Sequence, residues 1–329
     1  MHATAGVTAR ILLALVLALA RPVSGLAADP PIRIGVVRSA DVPVFNRVQK
    51  GFEDALASSG YRNGVDVVFD IETTNGQAEK EQAIARKFKA DEVALIHSIG
   101  TRPTQGLVKA DTRIPVVFSA VTDPVSAGIV PPGSKPGKPG GGDLTGVTDA
   151  WPVHLQLDLF SKIAPQARVW GTIYNPAESN SVFFLKELRA SAGRLGLELI
   201  EVTVTDSSQV KAAAASLAGR VNALFNPADN TVTAGSKGLI EACDANQIAL
   251  FTGGSGAARG ALASYGIDYY LVGYAAGKKA SLVLKGSEPG AIPWGSVDKF
   301  TLIINLRAAR AQGMTIPPEM LQMADRVIN

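Results

Sequence analysis

Apolar and polar positions along this chain keep two alternating rhythms. Short, β-branched apolar runs at 31–37, 65–71, 93–98 and 114–120 predict buried strands. Between them the spacing turns helical. Over 44–59, Phe45, Val48, Phe52, Ala55 and Leu56 fall on one face, and over 77–90 a stripe forms at Ile84 and Phe88. A short helix is expected after Thr101. Strands that are apolar throughout, alternating with helices, imply a parallel sheet covered on both faces.

The rhythm breaks at 131–142 (PPGSKPGKPGGG), where nine of twelve residues are Gly or Pro. That is a surface loop, and its length suggests mobility. Segment 143–149 is read as a strand leaving the first lobe. The alternation then restarts. Helices are expected at 155–163, 181–196, 209–219 and 232–246, with strands at 169–174, 197–204, 223–225, 248–251 and 261–267. A long helix at 269–285, a strand at 299–304 and two short helices close the sequence. The fold class is α/β, with two doubly wound parallel-sheet lobes and a C-terminal segment able to return to either.

The first 28 residues stand apart. A basic residue, an unbroken apolar run at 11–20 and the small pair Ala27-Ala28 follow the order of a secretory signal peptide. The run is short for a bilayer, which needs about 20 apolar residues. Removing 28 of the 329 residues leaves 301, enough for two domains. It also removes Arg10 and Arg21, so 30 basic residues face 29 acidic ones. That balance gives no footprint for nucleic acid. Cys243 is the one cysteine, so no intrachain disulfide forms and no lipid-accepting Cys follows the signal. A soluble periplasmic protein is expected.

In open parallel sheets, ligands sit beyond the carboxyl ends of the strands. The segments there are rich in Ser, Thr, Asn and Asp: Ser39, Thr101, Thr122, then 174–181, 226–231 and the Gly-rich 253–257. Helix capping uses the same residue types. A helix N-terminus also offers free N–H groups and partial positive charge, suited to a carboxylate.

Ordered along the chain, several motifs resemble one family. They are Ile99-Gly100-Thr101, Ile114-Pro115-Val116-Val117-Phe118 with Val121-Thr122-Asp123-Pro124, Leu144-Thr145-Gly146-Val147, and Tyr174-Asn175-Pro176 with Ser179-Asn180-Ser181. Further on come Asp229-Asn230-Thr231-Val232, Gly260-Ala261-Leu262-Ala263, Gly266-Ile267-Asp268-Tyr269-Tyr270 and Ile316-Pro317. Together they resemble the ABC transporter substrate-binding proteins of the tryptophan/tyrosine-uptake type, with the type I periplasmic-binding fold. The resemblance covers nearly all of the chain after residue 28. The longer, Gly-rich loop at 131–142 departs from the family pattern.

The resemblance implies two lobes joined by three crossovers, with ligand in the cleft. Lobe 1 would take 29–147 plus about 268–296, and lobe 2 would take 148–267 plus about 297–329. An amino-acid-like ligand, aromatic or branched apolar, is implied. Its carboxylate and amine would meet Ser39, Thr101 and Ala120 to Thr122 from one lobe. Asn175, Ser179, Asn180, Ser181 and Asn230 would face it from the other, with Asp229 and Asp268 available to the ammonium. Phe45, Tyr174 and Tyr269 would flank the side chain or fill the core.

The expected action is hinge closure on a small ligand, read by an ABC permease in the inner membrane. A monomer without catalytic residues, metal or cofactor is expected. Outside the first 28 residues only His97 and His154 are available. No H-E-x-x-H, Walker loop or metal-ligand spacing occurs, and 253–257 lacks the last Gly of a nucleophile elbow. His97 reads as a core residue and Cys243 as a small buried apolar one. DNA-binding repressors share this fold but carry a helix-turn-helix where this chain has its signal peptide. A sensor feeding a kinase or chemoreceptor, and a receptor for a solute such as a nucleoside, remain as alternatives.

Overall fold

A computed structural model of the chain describes residues 30–254 and 256–329. The expected signal peptide lies outside them. The early apolar runs form strands β1 (Ile32–Arg38), β2 (Val67–Thr73), β3 (Leu95–Ile99), β4 (Val116–Ser119) and β5 (Leu144–Thr148). Every residue of β3 and β4 is buried, which is why those runs are continuous rather than alternating. Helices α1 (Pro43–Ala57), α2 (Ala78–Ala90) and α3 (Thr101–Ala110) connect them. The sheet is parallel throughout, in the order β11-β5-β4-β3-β1-β2. Its edge strand β11 (Gly295–Ser296) arrives from far along the chain.

The second sheet has the order β13-β12-β10-β9-β8-β6-β7. Its strands are β6 (Val169–Tyr174), β7 (Glu198–Thr203), β8 (Ala223–Asn226), β9 (Ala249–Thr252), β10 (Ala263–Ile267), β12 (Phe300–Asn305) and β13 (Arg326–Ile328). All neighbours are parallel except β10 and β12. The exception has a topological cause. β10 runs out toward the first sheet, and β12 runs back from it with no helix between β11 and β12 to turn the chain around.

The chain thus passes between the sheets three times. The first passage follows β5 through 149–152 into α4 (Val153–Ile163). The second is the single residue Asp268, between β10 and α9 (Tyr269–Leu284). The third is 297–299. Around the second sheet lie α5 (Ser179–Leu195), α6 (Val210–Ala215), α7 (Asn230–Ala234), α8 (Ser236–Ala245), α10 (Leu306–Ala311) and α11 (Pro318–Met323). Two helices are shorter than the spacing predicts. The 209–219 helix ends at Ala215, and the 232–246 helix divides at Gly235, which lies against the Ser207 carbonyl oxygen.

Helices α1 and α9 pack backbone to backbone. A Cβ on Gly51 would overlap the Tyr270 carbonyl, and one on Gly273 would overlap that of Val48. Side chains lock the crossing: Arg47 pairs with Asp268 at 2.8 Å, and Tyr270 donates to Asp54 at 3.0 Å. The Gly/Pro-rich loop is not slack. Gly137 N–H donates to the Trp294 carbonyl at 2.7 Å, and Gly141 N–H to that of Gly290 at 3.0 Å. The loop therefore braces the segment leading into β11.

Candidate functional site

The carboxyl ends of the strands in both sheets converge on one cavity of about 70 Å³. From the first sheet's side come Val44 and Phe45 of α1, Thr101 at the start of α3, and Ala120 and Thr122 after β4. From the second come Asn180, the 226–230 segment, Thr252, Gly253 and Arg259. Asp149, Trp151 and Tyr269, at two of the passages between sheets, complete the wall. Eight of the residues expected from sequence therefore meet here: Phe45, Thr101, Ala120, Thr122, Asn180, Asp229, Asn230 and Tyr269.

One of two local features of the first-sheet wall suits it to an anion. Helix α3 is capped by Gly100, which has no side chain to accept from the first-turn N–H groups. Ala120 is a non-glycine residue at φ +54°, a conformation that costs energy and clusters at functional sites. Its N–H is not free, because it donates to Val147 at 3.0 Å. Ala120 therefore brings its carbonyl and methyl, not a free N–H, to the wall.

Asp149 sits at the junction of the wall. Its carboxylate accepts from the Thr122 hydroxyl at 2.9 Å and from the Tyr269 hydroxyl at 2.9 Å. Burial raises its pKa and pushes that of Tyr269 well above the ordinary phenol value. Among the described residues Asp149 makes no ion pair, and its side-chain partners Thr122 and Tyr269 are neutral. Trp151 stacks on Phe184 and meets Tyr269 edge-on, so the cavity has an aromatic side.

The second lobe holds a different kind of acid pair. Asp229 caps α7 by accepting from Val232 N–H at 2.7 Å. It also accepts from Asn175 N–H at 2.7 Å and the Ser181 hydroxyl at 2.6 Å. Glu178 accepts from the main chain and side chains of Asn230 and Thr231. Burial and the neighbouring Glu178 raise the Asp229 pKa to about 7. Asn175, Ser181 and much of Asn230 are thus spent tying the 175–181 loop to the 226–231 loop.

The other expected residues fall elsewhere. Ser39 lines a neighbouring cavity of about 60 Å³ with Arg102, Glu178 and Asn230. Asp268 lines a third cavity of about 480 Å³ with Arg47, Arg259 and Arg326, and its carboxylate is engaged by Arg47. It is a helix cap and ion-pair partner, so it does not face the central cavity beside Asp229. Ser179 Oγ is buried without a hydrogen-bond partner among the described residues. Tyr174 lines a small pocket against α5.

His97 is fully buried, stacked on Phe52 at 3.8 Å between centroids and bonded to Gln49 and Ser119. Burial pushes its pKa down to about 3, so it is a neutral core residue. Burial pushes the Cys243 thiol up to about 12. Among the described residues no cluster of His, Cys, Asp or Glu is arranged to hold a metal, and no helix is long and apolar enough to cross a membrane.

Sequence reasoning missed Asp149, Trp151 and Arg259. Asp149 directly follows β5, so the rule applied to the other strand ends would have found it. Trp151 and Arg259 carried no comparable signal.

The chain as a whole is similar to several known proteins. The family model described as ABC transporter substrate binding protein matches residues 33–328. A tyrosine-binding protein of Clostridioides difficile (strain R20291) is 34% identical over 282 residues, covering 85% of this chain and 81% of that protein. An ABC domain from Streptococcus pneumonia in complex with L-Trp is 29% identical, with a TM-score of 0.84 over 91% of this chain and 100% of that one. A ligand-free, open structure of a substrate-binding protein with adhesive properties from Clostridium difficile is 30% identical. Its TM-score is 0.65, over 91% of this chain and 99% of that one.

Proposed function

We propose, from the premise that this chain belongs to the ABC transporter substrate-binding protein family, that it closes on an aromatic amino acid in the cavity between its sheets. The observation that carries this is the makeup of the cavity wall. A buried carboxylate with only neutral partners, Asp149, stands beside the rings of Phe45, Trp151 and Tyr269. The ligand's ammonium pairs with Asp149, which lacks a cation and gains one on binding. Asp229 already accepts three donors from its own lobe and serves as the brace beneath. The α-carboxylate meets Thr101 and the open first turn of α3.

The two solved relatives support a closing motion. Their identities to this chain are 29% and 30% and their coverage is equal, yet the TM-scores are 0.84 and 0.65. Sequence distance does not account for that gap. A different placement of two similar lobes would account for it, in line with one relative being described as bound to L-Trp and the other as ligand-free and open. Ligand contacts made by both lobes favour the closed state by differential affinity. The lobes are 30–147 with 268–296, and 148–267 with 297–329.

A periplasmic receptor delivering its ligand to an inner-membrane ABC permease is the role that follows. The chain acts as a monomer, without catalysis or cofactor. A thermal-shift panel of amino acids, nucleosides and sugars tests the ligand class. Saturation at a hundred times Kd stabilises by about 2.7 kcal/mol, which raises Tm by roughly 2–4 °C for a chain of this size. A shift with nucleosides or sugars and none with amino acids overturns the ligand assignment.

A further inference from the structure

Four polar atoms in residues lining the central cavity are buried without a hydrogen-bond partner among the described residues. They are Trp151 Nε1, Thr252 Oγ1, and Arg259 Nε and Nη1. Buried polar groups left in this state are few in native proteins, and each calls for an explanation. Three of these four atoms can only donate, because indole and guanidinium nitrogens have no acceptor capacity.

Arg259 is the costliest of the set. A buried cation without a partner is unfavourable by more than a neutral group would be. Arg259 makes no salt bridge among the described residues, although the exposed arginines Arg189 and Arg194 do. Burial lowers its pKa from the ordinary guanidinium value, and Tyr269 is the one neighbour acting in the other direction. The site is thus prepared to receive negative charge. The guanidinium fork matches a carboxylate in shape as well as in sign.

We propose that Arg259, assisted by Trp151 Nε1 and Thr252 Oγ1, anchors the ligand's carboxylate from the second lobe. The inference rests on the amino-acid reading above and adds a specificity determinant to it. Thr101 and the α3 terminus meet the same carboxylate from the first lobe, so this one group is gripped from both sides. An aromatic amine without a carboxylate would leave the guanidinium unpaired, and the site rejects it for that reason.

The test is titration calorimetry of the protein and its Arg259→Gln variant with L-Tyr and with tyramine, which lacks the carboxylate. Removing one partner of a buried charge pair weakens binding by roughly thirty-fold or more. Wild type should prefer L-Tyr to tyramine by that margin, and Arg259→Gln should lose the preference through weaker L-Tyr binding alone. The ligand-free variant should melt no lower than wild type, because an unpaired buried charge has been removed. A purely structural arginine would instead lower the ligand-free Tm. Arg259→Lys keeps the charge without the fork and should fall between the two. If Arg259→Gln binds L-Tyr within about threefold of wild type, the carboxylate assignment is wrong while the receptor reading stands. If wild type binds no aromatic amino acid, both fall together.

Discussion

Tyr269 donates its phenolic hydrogen to Asp149 Oδ2 across 2.9 Å, which joins the first passage between the sheets to the helix that directly follows the second. Asp149 follows β5, and Tyr269 opens α9 directly after Asp268. Thr122 joins the same carboxylate from the first lobe. On the proposed reading, a ligand ammonium at Asp149 would contact a passage between the sheets as well as the cavity wall, and would couple binding to closure through one buried acid.

Asp149→Asn tests that coupling. The amide fills the same volume, and the hydroxyls of Thr122 and Tyr269 can each turn to accept as well as donate. Ligand-free Tm should stay within a few degrees of wild type. Affinity for L-Tyr should fall by roughly thirty-fold or more in calorimetry. Unchanged affinity removes the ammonium from Asp149.

Trp151 supplies an optical reporter. It lies in the cavity wall, while Trp170 is buried in the core and Trp294 packs with the Gly/Pro-rich loop. L-Tyr should alter the tryptophan emission of wild type, excited at a wavelength that spares tyrosine. The change should vanish in Trp151→Phe. A change that persists there places the ligand elsewhere.

His97 makes the fold sensitive to acid. Its folded pKa, about 3, lies below the ordinary 6.5, so the unfolded chain binds the proton first. Stability from this residue is complete above pH 6.5 and is lost as pH falls toward 3. At pH 5 the loss is about 2 kcal/mol. Proton NMR should find the His97 ring neutral down to about pH 4. A titration midpoint near 6.5 would falsify the buried, neutral assignment.

Gly273→Ala should be among the most damaging single methyl additions. The new Cβ would overlap the Val48 carbonyl, and neither α1 nor α9 can yield without separating. A loss of about 3 kcal/mol or more is expected in urea unfolding. A variant as stable as wild type contradicts the close crossing.

Much of the scaffold was legible in the sequence because burial on both faces leaves continuous apolar runs. The run at 169–174 matches β6 residue for residue. The direction of β12 was not legible. Its sequence resembles any other buried strand, and only the missing helix before it reverses its sense. The edge strands β11 and β13, of two and three residues, are too short to carry a pattern. At the site, polar type identified Thr101, Asn180 and Asp229 as near the cleft, but not which were free to bind. Asp229 is spent on capping and bracing, and Asp268 on Arg47. The proposed binding roles fall to residues whose neighbours leave them short of a partner, and partners separated by a hundred residues or more, such as Asp149 and Tyr269, are settled by packing alone.

The most direct test of the account is titration calorimetry of the protein without residues 1–28 against L-Trp and L-Tyr, with arabinose and adenosine as controls. One site per chain for an aromatic amino acid is expected, with no heat of binding from the controls. Binding of a control in place of both amino acids would contradict it.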